Sequence, residues 1–100
     1  MRLTEIQITA IRQVVLETSK GKCLTVRVFG SRLDDQVKGG DLDLLLEFSD
    51  PVEHPSLLAA KIAARVSRVL QGRKVDVLLS APNLKRFPIH EIALTEGILI

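Results

Sequence analysis

Three short segments rich in leucine and β-branched residues constrain the fold of this chain most. They are KCLTVRVF (22–29), DLDLLLEF (41–48) and RKVDVLLS (73–80), and glycine, proline or polar residues bound each of them. Segments of this length and composition predict strands. Helical patterns precede the first segment, separate the second from the third and follow the third. This order predicts an α/β domain in which helices pack against one sheet.

Three helices are expected around these strands. Residues 4–20 are predicted to form the first, because Thr4 and Gln7 have the spacing of a capping box. Residues 55–71 form the second, with proline in its first turn and glycine after its end. The third includes residues 90–96. No repeat, low-complexity tract or linker interrupts the sequence, so we expect a single domain that covers all 100 residues.

The two long helices differ in the width of their apolar faces. At 100° per residue, the apolar side chains of the second fall within an arc of about 120°, as a core-facing helix requires: Leu58, Ile62, Val66, Val69 and Leu70. Those of the first helix, from Ile6 to Val15, spread over about 200°. Either this helix lies between two internal surfaces, or part of it contacts another protein. The second helix also carries a basic stripe, which is a solvated face or a surface for an acidic partner or RNA: Lys61, Arg65 and Arg68.

Composition excludes several classes of protein. Hydrophobic residues make up 46% of the chain, and 14 Lys and Arg oppose 12 Asp and Glu, a balance that does not by itself indicate nucleic-acid binding. One cysteine and two histidines support neither a disulfide framework nor a structural zinc site. The chain has three Phe and no Trp or Tyr, so it has few aromatic side chains on which nucleic-acid bases could stack. No apolar run suits a membrane span and the start lacks a signal-peptide pattern, so we expect a cytoplasmic protein.

The second predicted strand places two carboxylates together. Side chains two apart in a strand point to the same face, about 7 Å from each other, so Asp41 and Asp43 project together while Leu42 and Leu44 face the other way. Two such carboxylates repel each other unless a cation lies between them. Asp76 interrupts an otherwise apolar strand, where a buried carboxylate needs a partner or a metal. If the third strand neighbours the second, the three carboxylates can hold two Mg²⁺ ions about 3.5–4 Å apart, as in phosphoryl transfer.

Gly30 and Ser31 supply the second half of this pattern. Glycine permits a tight turn off the first strand, and a serine at the start of a helical turn leaves backbone N–H groups facing an anion. The Ser31 hydroxyl adds one more donor for a phosphate oxygen. Arg32 follows directly and can reach the same phosphate. With the three aspartates, these residues predict a site for a metal ion and a phosphate group.

The remaining polar residues are interpreted as structural. Cys23 is expected to be a small core residue. Glu47 shares a strand face with the two aspartates of its segment but lies farther along, which favours a salt-bridged surface residue. His54 and His90 have no metal-ligand spacing. Arg27 alternates with two valines and is expected to face solvent or the rim of the site.

The motif Gly30–Ser31, a gap of nine residues, Asp41-Leu42-Asp43 and then Val75-Asp76-Val77 resembles that of the minimal nucleotidyltransferases (MNT) of the DNA polymerase β superfamily. The resemblance covers residues 24–80 and extends more loosely to the C-terminal HEIALTEGILI. It implies a nucleotidyltransferase fold, with a mixed sheet flanked by helices. It also implies transfer of a nucleoside monophosphate, usually from ATP. Many members have a gap of ten residues and a serine before the first aspartate, where this chain has nine and Gly40.

The same resemblance implies a role for each motif residue. The pair Gly30–Ser31 would bind the triphosphate, Asp41 and Asp43 would ligate both Mg²⁺ ions, and Asp76 would complete the catalytic one. Asp76 would also take the proton of the acceptor hydroxyl. Arg32, with the serine of the pair, would help to neutralise the pyrophosphate leaving group.

Many MNT proteins are antitoxins paired with a HEPN-family protein, a helical RNase-like toxin, and adenylylate a tyrosine of that toxin. The resemblance therefore implies a protein adenylyltransferase that uses ATP and forms a hetero-oligomer with a HEPN toxin, with no membrane segment and no direct nucleic-acid binding. The chain has no Tyr, so an accepting tyrosine would lie in the partner. Two alternatives stay open. One is an antitoxin that neutralises its toxin by binding alone, and the other is a nucleotidyltransferase of a small molecule such as an antibiotic.

Overall fold

The computed structural model describes residues 3–30 and 42–100. The order of helices and strands agrees with the sequence prediction, and a short fourth strand follows the last helix. The elements are α1 (Glu5–Thr18), β1 (Cys23–Phe29), β2 (Leu42–Phe48), α2 (Pro55–Val69), β3 (Val75–Ser80), α3 (Pro88–Glu96) and β4 (Ile98–Leu99). Among the described residues, no helix has both the length and the apolar character that a membrane crossing requires.

The four strands form one mixed sheet in the order β3-β2-β1-β4. Strand β1 pairs antiparallel with both β2 and β4, whereas β2 and β3 run parallel. A parallel pair needs a crossover connection, and α2 provides it. The three-aspartate site requires β3 to lie next to β2, and this condition is met.

The two faces of the sheet are covered differently. Helices α1 and α2 pack on one face over the main core, to which β2 contributes its even-numbered residues: Leu42, Leu44, Leu46 and Phe48. On the other face, Leu45 of β2 and Phe29 of β1 pack against Ala93 of the shorter helix α3. Because side chains alternate along a strand, Asp43 and Glu47 share this second, less covered face with Leu45.

Helix α1 begins with the predicted capping box. The Thr4 Oγ1 accepts a hydrogen bond from the Gln7 N–H at 3.1 Å, and the Thr4 N–H donates to the Gln7 Oε1 at 2.9 Å. The helix packs against α2 and β1. Ile11 is fully buried, but Ile6 is 83% exposed and Leu16 is 54% exposed. Part of the wide apolar arc therefore lies outside this packing, and its contact with another protein stays a prediction.

The burial of α2 side chains confirms most of the predicted core face of this helix. Ile62 and Val66 are fully buried and Leu70 nearly so, whereas Val69 is 43% exposed. The basic stripe on its outer side is not uniform, because Arg65 donates to the Glu17 carboxylate at 2.7 Å and to the Thr18 hydroxyl at 2.8 Å. Arg65 thus joins α2 to the end of α1.

His90 fixes the first turn of α3 to the edge of the sheet. Its ring is buried, and Nδ1 accepts a hydrogen bond from the Phe87 N–H at 3.0 Å. The other ring nitrogen, Nε2, therefore carries the proton in the neutral ring and donates to the Leu79 carbonyl of β3 at 3.0 Å. Both nitrogens are used within the fold, which confirms the structural interpretation of His90.

Candidate functional site

The candidate site lies where β1 ends and β2 begins, on the face of the sheet that α3 covers only in part. A row of register partners crosses this end of the sheet: Phe29 on β1 faces Asp43 on β2, which faces Asp76 on β3. Directly opposed residues in a sheet project to the same face. The structure therefore brings together two of the three predicted carboxylates.

Asp43 and Asp76 occupy neighbouring strands whose backbones lie about 4.8 Å apart. The ladder between these strands reaches beyond the pair, because the Leu42 N–H donates to the Lys74 carbonyl at 3.0 Å. Backbone pairing on both sides of the two aspartates fixes their relative position. Asp43 is half-buried and Asp76 is exposed.

The exposure of Asp76 corrects one expectation. The sequence suggested a carboxylate buried within an apolar strand, which would need a partner to offset the cost of desolvation. Strand β3 lies at the edge of the sheet, and at the level of Asp76 its second face is open. Solvent therefore stabilises this charge, and burial gives no reason for its presence. What still marks Asp76 is its place beside Asp43.

Gly30 is required at the end of β1 for two separate reasons. Its φ is +77°, a conformation that L side chains rarely adopt. A Cβ at this position would also collide with the Oδ2 of Asp43 and lie 3.2 Å from its Cγ. The absence of a side chain therefore allows the backbone that leaves β1 to pass directly against the Asp43 carboxylate.

Ser31, Arg32 and Asp41 lie outside the described residues, so their predicted roles stay predictions. Within residues 3–30 and 42–100, no group of three or more metal-ligating side chains comes together. The described part of the chain thus supplies two members of the predicted carboxylate set.

Lys74 belongs to this end of the sheet and was not singled out in the sequence. It precedes Asp76 by two residues and lies directly before β3. Its carbonyl already takes part in the ladder between β3 and β2. The sequence did contain a signal for Lys74, because in RKVDV (73–77) it is a charged residue two positions before Asp76 at the start of an apolar segment.

At the other end of the same face, Glu47 is a structural residue, as expected. Its carboxylate accepts hydrogen bonds from the Thr25 hydroxyl at 2.5 Å and from the Arg27 guanidinium at 3.0 Å. The Thr25 hydrogen bond, followed by that of Arg27, holds the pKa of Glu47 below its usual value although partial burial opposes the change. Arg27 therefore lies on the second face, paired with Glu47.

Cys23 also has a structural environment. It is half-buried, and its thiol donates to the Thr25 carbonyl at 3.2 Å. Burial raises the pKa of Cys23 to about 11. At neutral pH the thiol is therefore protonated, which is its less nucleophilic form.

Comparison with known proteins gives matches among solved structures only, since no family model and no curated protein matches the sequence. A toxin–antitoxin structure with AMP-PNP has a TM-score of 0.66 at 19% identity, over 97% of this chain and 72% of that chain. An MntA-HepT toxin–antitoxin structure has a TM-score of 0.64 at 16% identity, over 96% and 70% of the two chains. A tri-AMPylated Shewanella oneidensis HEPN toxin in complex with its MNT antitoxin has a TM-score of 0.59 at 17% identity, over 93% and 70%.

This chain has the nucleotidyltransferase fold. The mixed sheet flanked by helices, expected from the motif, is confirmed by the architecture and by these likenesses. Identities of 16–19% carry the fold and not the activity, so the function depends on the residues at the site. In this nucleotidyltransferase fold, Gly30, Asp43 and Asp76 meet at one end of the sheet.

Proposed function

We propose that this protein is a Mg²⁺-dependent nucleotidyltransferase that transfers AMP from ATP to a hydroxyl group of a partner protein. The observation that carries the proposal is the placement of Asp43 and Asp76 at facing positions of two paired strands. Gly30 lies against the first of them and directly precedes Ser31 in the sequence. Carboxylates beside a phosphate-binding turn are the elements that phosphoryl transfer requires.

The donor set at this end of the sheet fits Mg²⁺. Both side chains offer only carboxylate oxygens, which are the ligands Mg²⁺ prefers. One carboxylate is half-buried and fixed in position, and the other is open to solvent and substrate. In the described part of the chain, the softer ligands are engaged elsewhere, since Cys23 and His90 are both hydrogen-bonded within the fold. With Asp41 as the third ligand, bound Mg²⁺ would supply charge neutralisation at the phosphates.

The reaction proposed is an in-line displacement at the α-phosphorus of ATP. The acceptor oxygen forms a bond to that phosphorus, and the bond from phosphorus to the oxygen shared with the β-phosphate breaks, which releases pyrophosphate. Asp76 is exposed and can meet an acceptor from outside, so it takes the hydroxyl proton and returns it to solvent. Ser31 and Arg32 donate hydrogen bonds to the triphosphate and oppose the charge of the leaving group.

The partner proposed is a HEPN toxin, and the acceptor is one of its tyrosines. Support comes from the likeness to structures of MntA-HepT pairs and of an AMPylated HEPN toxin with its MNT antitoxin. The chain has no Tyr of its own, which agrees with modification of a second protein. In this reading the chain acts as an antitoxin by adenylylating the toxin.

Label transfer from [α-³²P]ATP to the co-expressed HEPN partner tests this proposal. We expect Asp43→Asn and Asp76→Asn each to reduce transfer by about 100-fold or more, because each removes a charge from the carboxylate set. Glu47→Gln is the matched control, since it removes a carboxylate from the same face of β2 at the other end of the strand. Full transfer by both aspartate variants, with their fold intact by circular dichroism, would overturn the proposal.

A further inference from the structure

A second concave site lies at the opposite end of the sheet from Asp43. It is a cavity of about 340 Å³ between the end of α1, the loop after β2 and the first turns of α2. Phe48, the last residue of β2, forms part of its wall. Phe48 lies five residues beyond Asp43 along the strand, a distance of about 17 Å. The cavity is thus remote from the transfer site.

The floor of the cavity is apolar and held in place. Phe48 and Val52 are each 8% exposed, and Leu58 packs against the same core. The side chain of Asn83 clamps the backbone of Val52, accepting from its N–H at 2.9 Å and donating to its carbonyl at 2.8 Å. Leu57, which is 54% exposed, adds apolar surface to the lining. The floor is therefore preformed and suits one large apolar side chain.

The rim of the cavity is cationic. Lys20, Lys22 and Lys61 line it and are exposed, and within residues 3–30 and 42–100 none of them has a carboxylate partner. These lysines outnumber the acidic residues of the lining, Asp50 and Glu53. Charge complementarity therefore favours an anionic occupant.

Two polar groups inside the rim point to the same chemistry. The N-terminus of α2 lies at the cavity, has no side-chain cap and has proline in its first turn. Backbone N–H groups of that turn can therefore donate hydrogen bonds to a bound acceptor. Ser19, which is 6% exposed, also lines the cavity. Its Oγ accepts from the Cys23 N–H at 3.4 Å, and its own O–H has no acceptor in the part of the chain that the structure describes.

We propose that this cavity binds an acidic segment of a partner protein, with one large apolar side chain on the Phe48–Val52 floor and flanking carboxylates at Lys20, Lys22 and Lys61. The cavity is near the lower limit of small-molecule sites, and its three lysines are exposed and come from two separate segments of the chain. This arrangement suits a peptide with spaced charges better than a compact anion. The inference does not depend on nucleotidyl transfer, which uses the other end of the sheet.

A fluorescein-labelled peptide of sequence GEEFEEG tests the proposal by fluorescence anisotropy with the full chain. We expect saturable binding that weakens as ionic strength rises, at least about tenfold weaker binding of GEESEEG, and none of GKKFKKG. The double variant Lys22→Glu/Lys61→Glu should weaken binding of GEEFEEG by about tenfold or more, since it replaces two attractions with two repulsions. Lys85→Glu is the matched control, because Lys85 is an exposed lysine that does not line the cavity, and it should change the affinity less than about twofold.

Amide chemical shifts locate the bound peptide independently of affinity. The proposal expects shifts in residues 48–58 and 19–22, with those around Asp43 and Asp76 unchanged. Three results would each overturn the proposal: an equal loss of peptide affinity in Lys85→Glu, chemical-shift changes centred on Asp43 and Asp76, or no saturable binding of the peptide. Displacement of the peptide by millimolar inorganic phosphate or by an oligouridine would also overturn it, in favour of an anion site or an RNA site respectively.

Discussion

Asp43 and Glu47 lie on the same face of β2, four residues apart, yet their neighbours differ in kind. Glu47 accepts hydrogen bonds from two residues of β1, the Thr25 hydroxyl at 2.5 Å and the Arg27 guanidinium at 3.0 Å. Asp43 has a carboxylate, that of Asp76, at the facing position of the neighbouring strand β3. A carboxylate that accepts from a hydroxyl and a guanidinium stabilises the fold, whereas two carboxylates at facing positions of paired strands can share a bound cation. Under the proposed function, one end of this strand is structural and the other end carries the transfer site.

The largest expected effect separates the two ends by activity. Asp43→Asn should reduce AMP transfer to the partner by about 100-fold or more, and Glu47→Gln should change it less than about threefold. Both variants remove one negative charge from the same face of the same strand, so each is the other's control. Initial rates with [α-³²P]ATP measure the contrast. Comparable losses in the two variants would mean that net charge on this face, and not the position of Asp43, governs transfer.

A smaller loss is expected from Gly30→Ala. The methyl group would collide with the Asp43 carboxylate, and the φ of +77° would cost about 1 kcal/mol. We expect transfer to fall by about tenfold to 100-fold through displacement of Asp43. Gly72→Ala is the matched control, because Gly72 has a φ of +87° but nothing within 4 Å of its Cβ position. It should reproduce the loss of stability in urea denaturation without the loss of transfer.

His90 tests the attachment of α3 to the sheet. His90→Ala removes both hydrogen bonds and leaves a buried cavity, so the free energy of unfolding should fall by about 2–3 kcal/mol. His54→Ala should change it less than about 0.5 kcal/mol, since the His54 side chain is 72% exposed. Urea denaturation of the two variants measures the difference. Equal stabilities would show that α3 does not depend on the His90 contacts.

The smallest effect concerns the pH dependence of the Glu47 cluster. Because the pKa of Glu47 is lowered in the fold, its ionised form contributes stability above the ordinary Glu pKa and loses it as pH falls through the folded value. Glu47→Gln should therefore cost about 1 kcal/mol at pH 7, and the difference from the unsubstituted chain should shrink as pH falls below about 4.5. Thr25→Val removes the largest cause and should reduce this pH dependence. If the difference in free energy of unfolding between the two proteins stays constant from pH 7 to pH 3, ionised Glu47 is not the source of that stability.

The sequence was sufficient for the elements that have a local signal. The capping box at Thr4, the apolar face of α2 and the strand that carries Asp43 were all expected from residue spacing. Strand β4 was missed because its two residues have no alternation of their own, and its pairing with Arg27 and Val28 is a long-range contact. The exposure of Asp76 was missed for a similar reason, since strand order decides which strand lies at the edge.

The candidate site was predictable in its composition and less so in its geometry. Asp43, Asp76 and Gly30 were identified from the sequence, and the register of β1, β2 and β3 brings them to one end of the sheet. The close approach of Gly30 to the Asp43 carboxylate was not foreseeable, because it depends on the backbone path after β1. The far cavity carried no motif and arises from three separate segments that meet only in the fold.

Paramagnetic broadening by Mn²⁺-ATP tests the central claim most directly, because it locates the metal–nucleotide complex without a partner protein. Mn²⁺ prefers the same oxygen ligands as Mg²⁺. We expect amide signals of Gly30, Asp43 and Asp76 to broaden first, those of Thr25 and Glu47 to persist, and Asp43→Asn to abolish the effect. Broadening that centres on the Glu47 end of the sheet, or that survives in Asp43→Asn, would contradict the account.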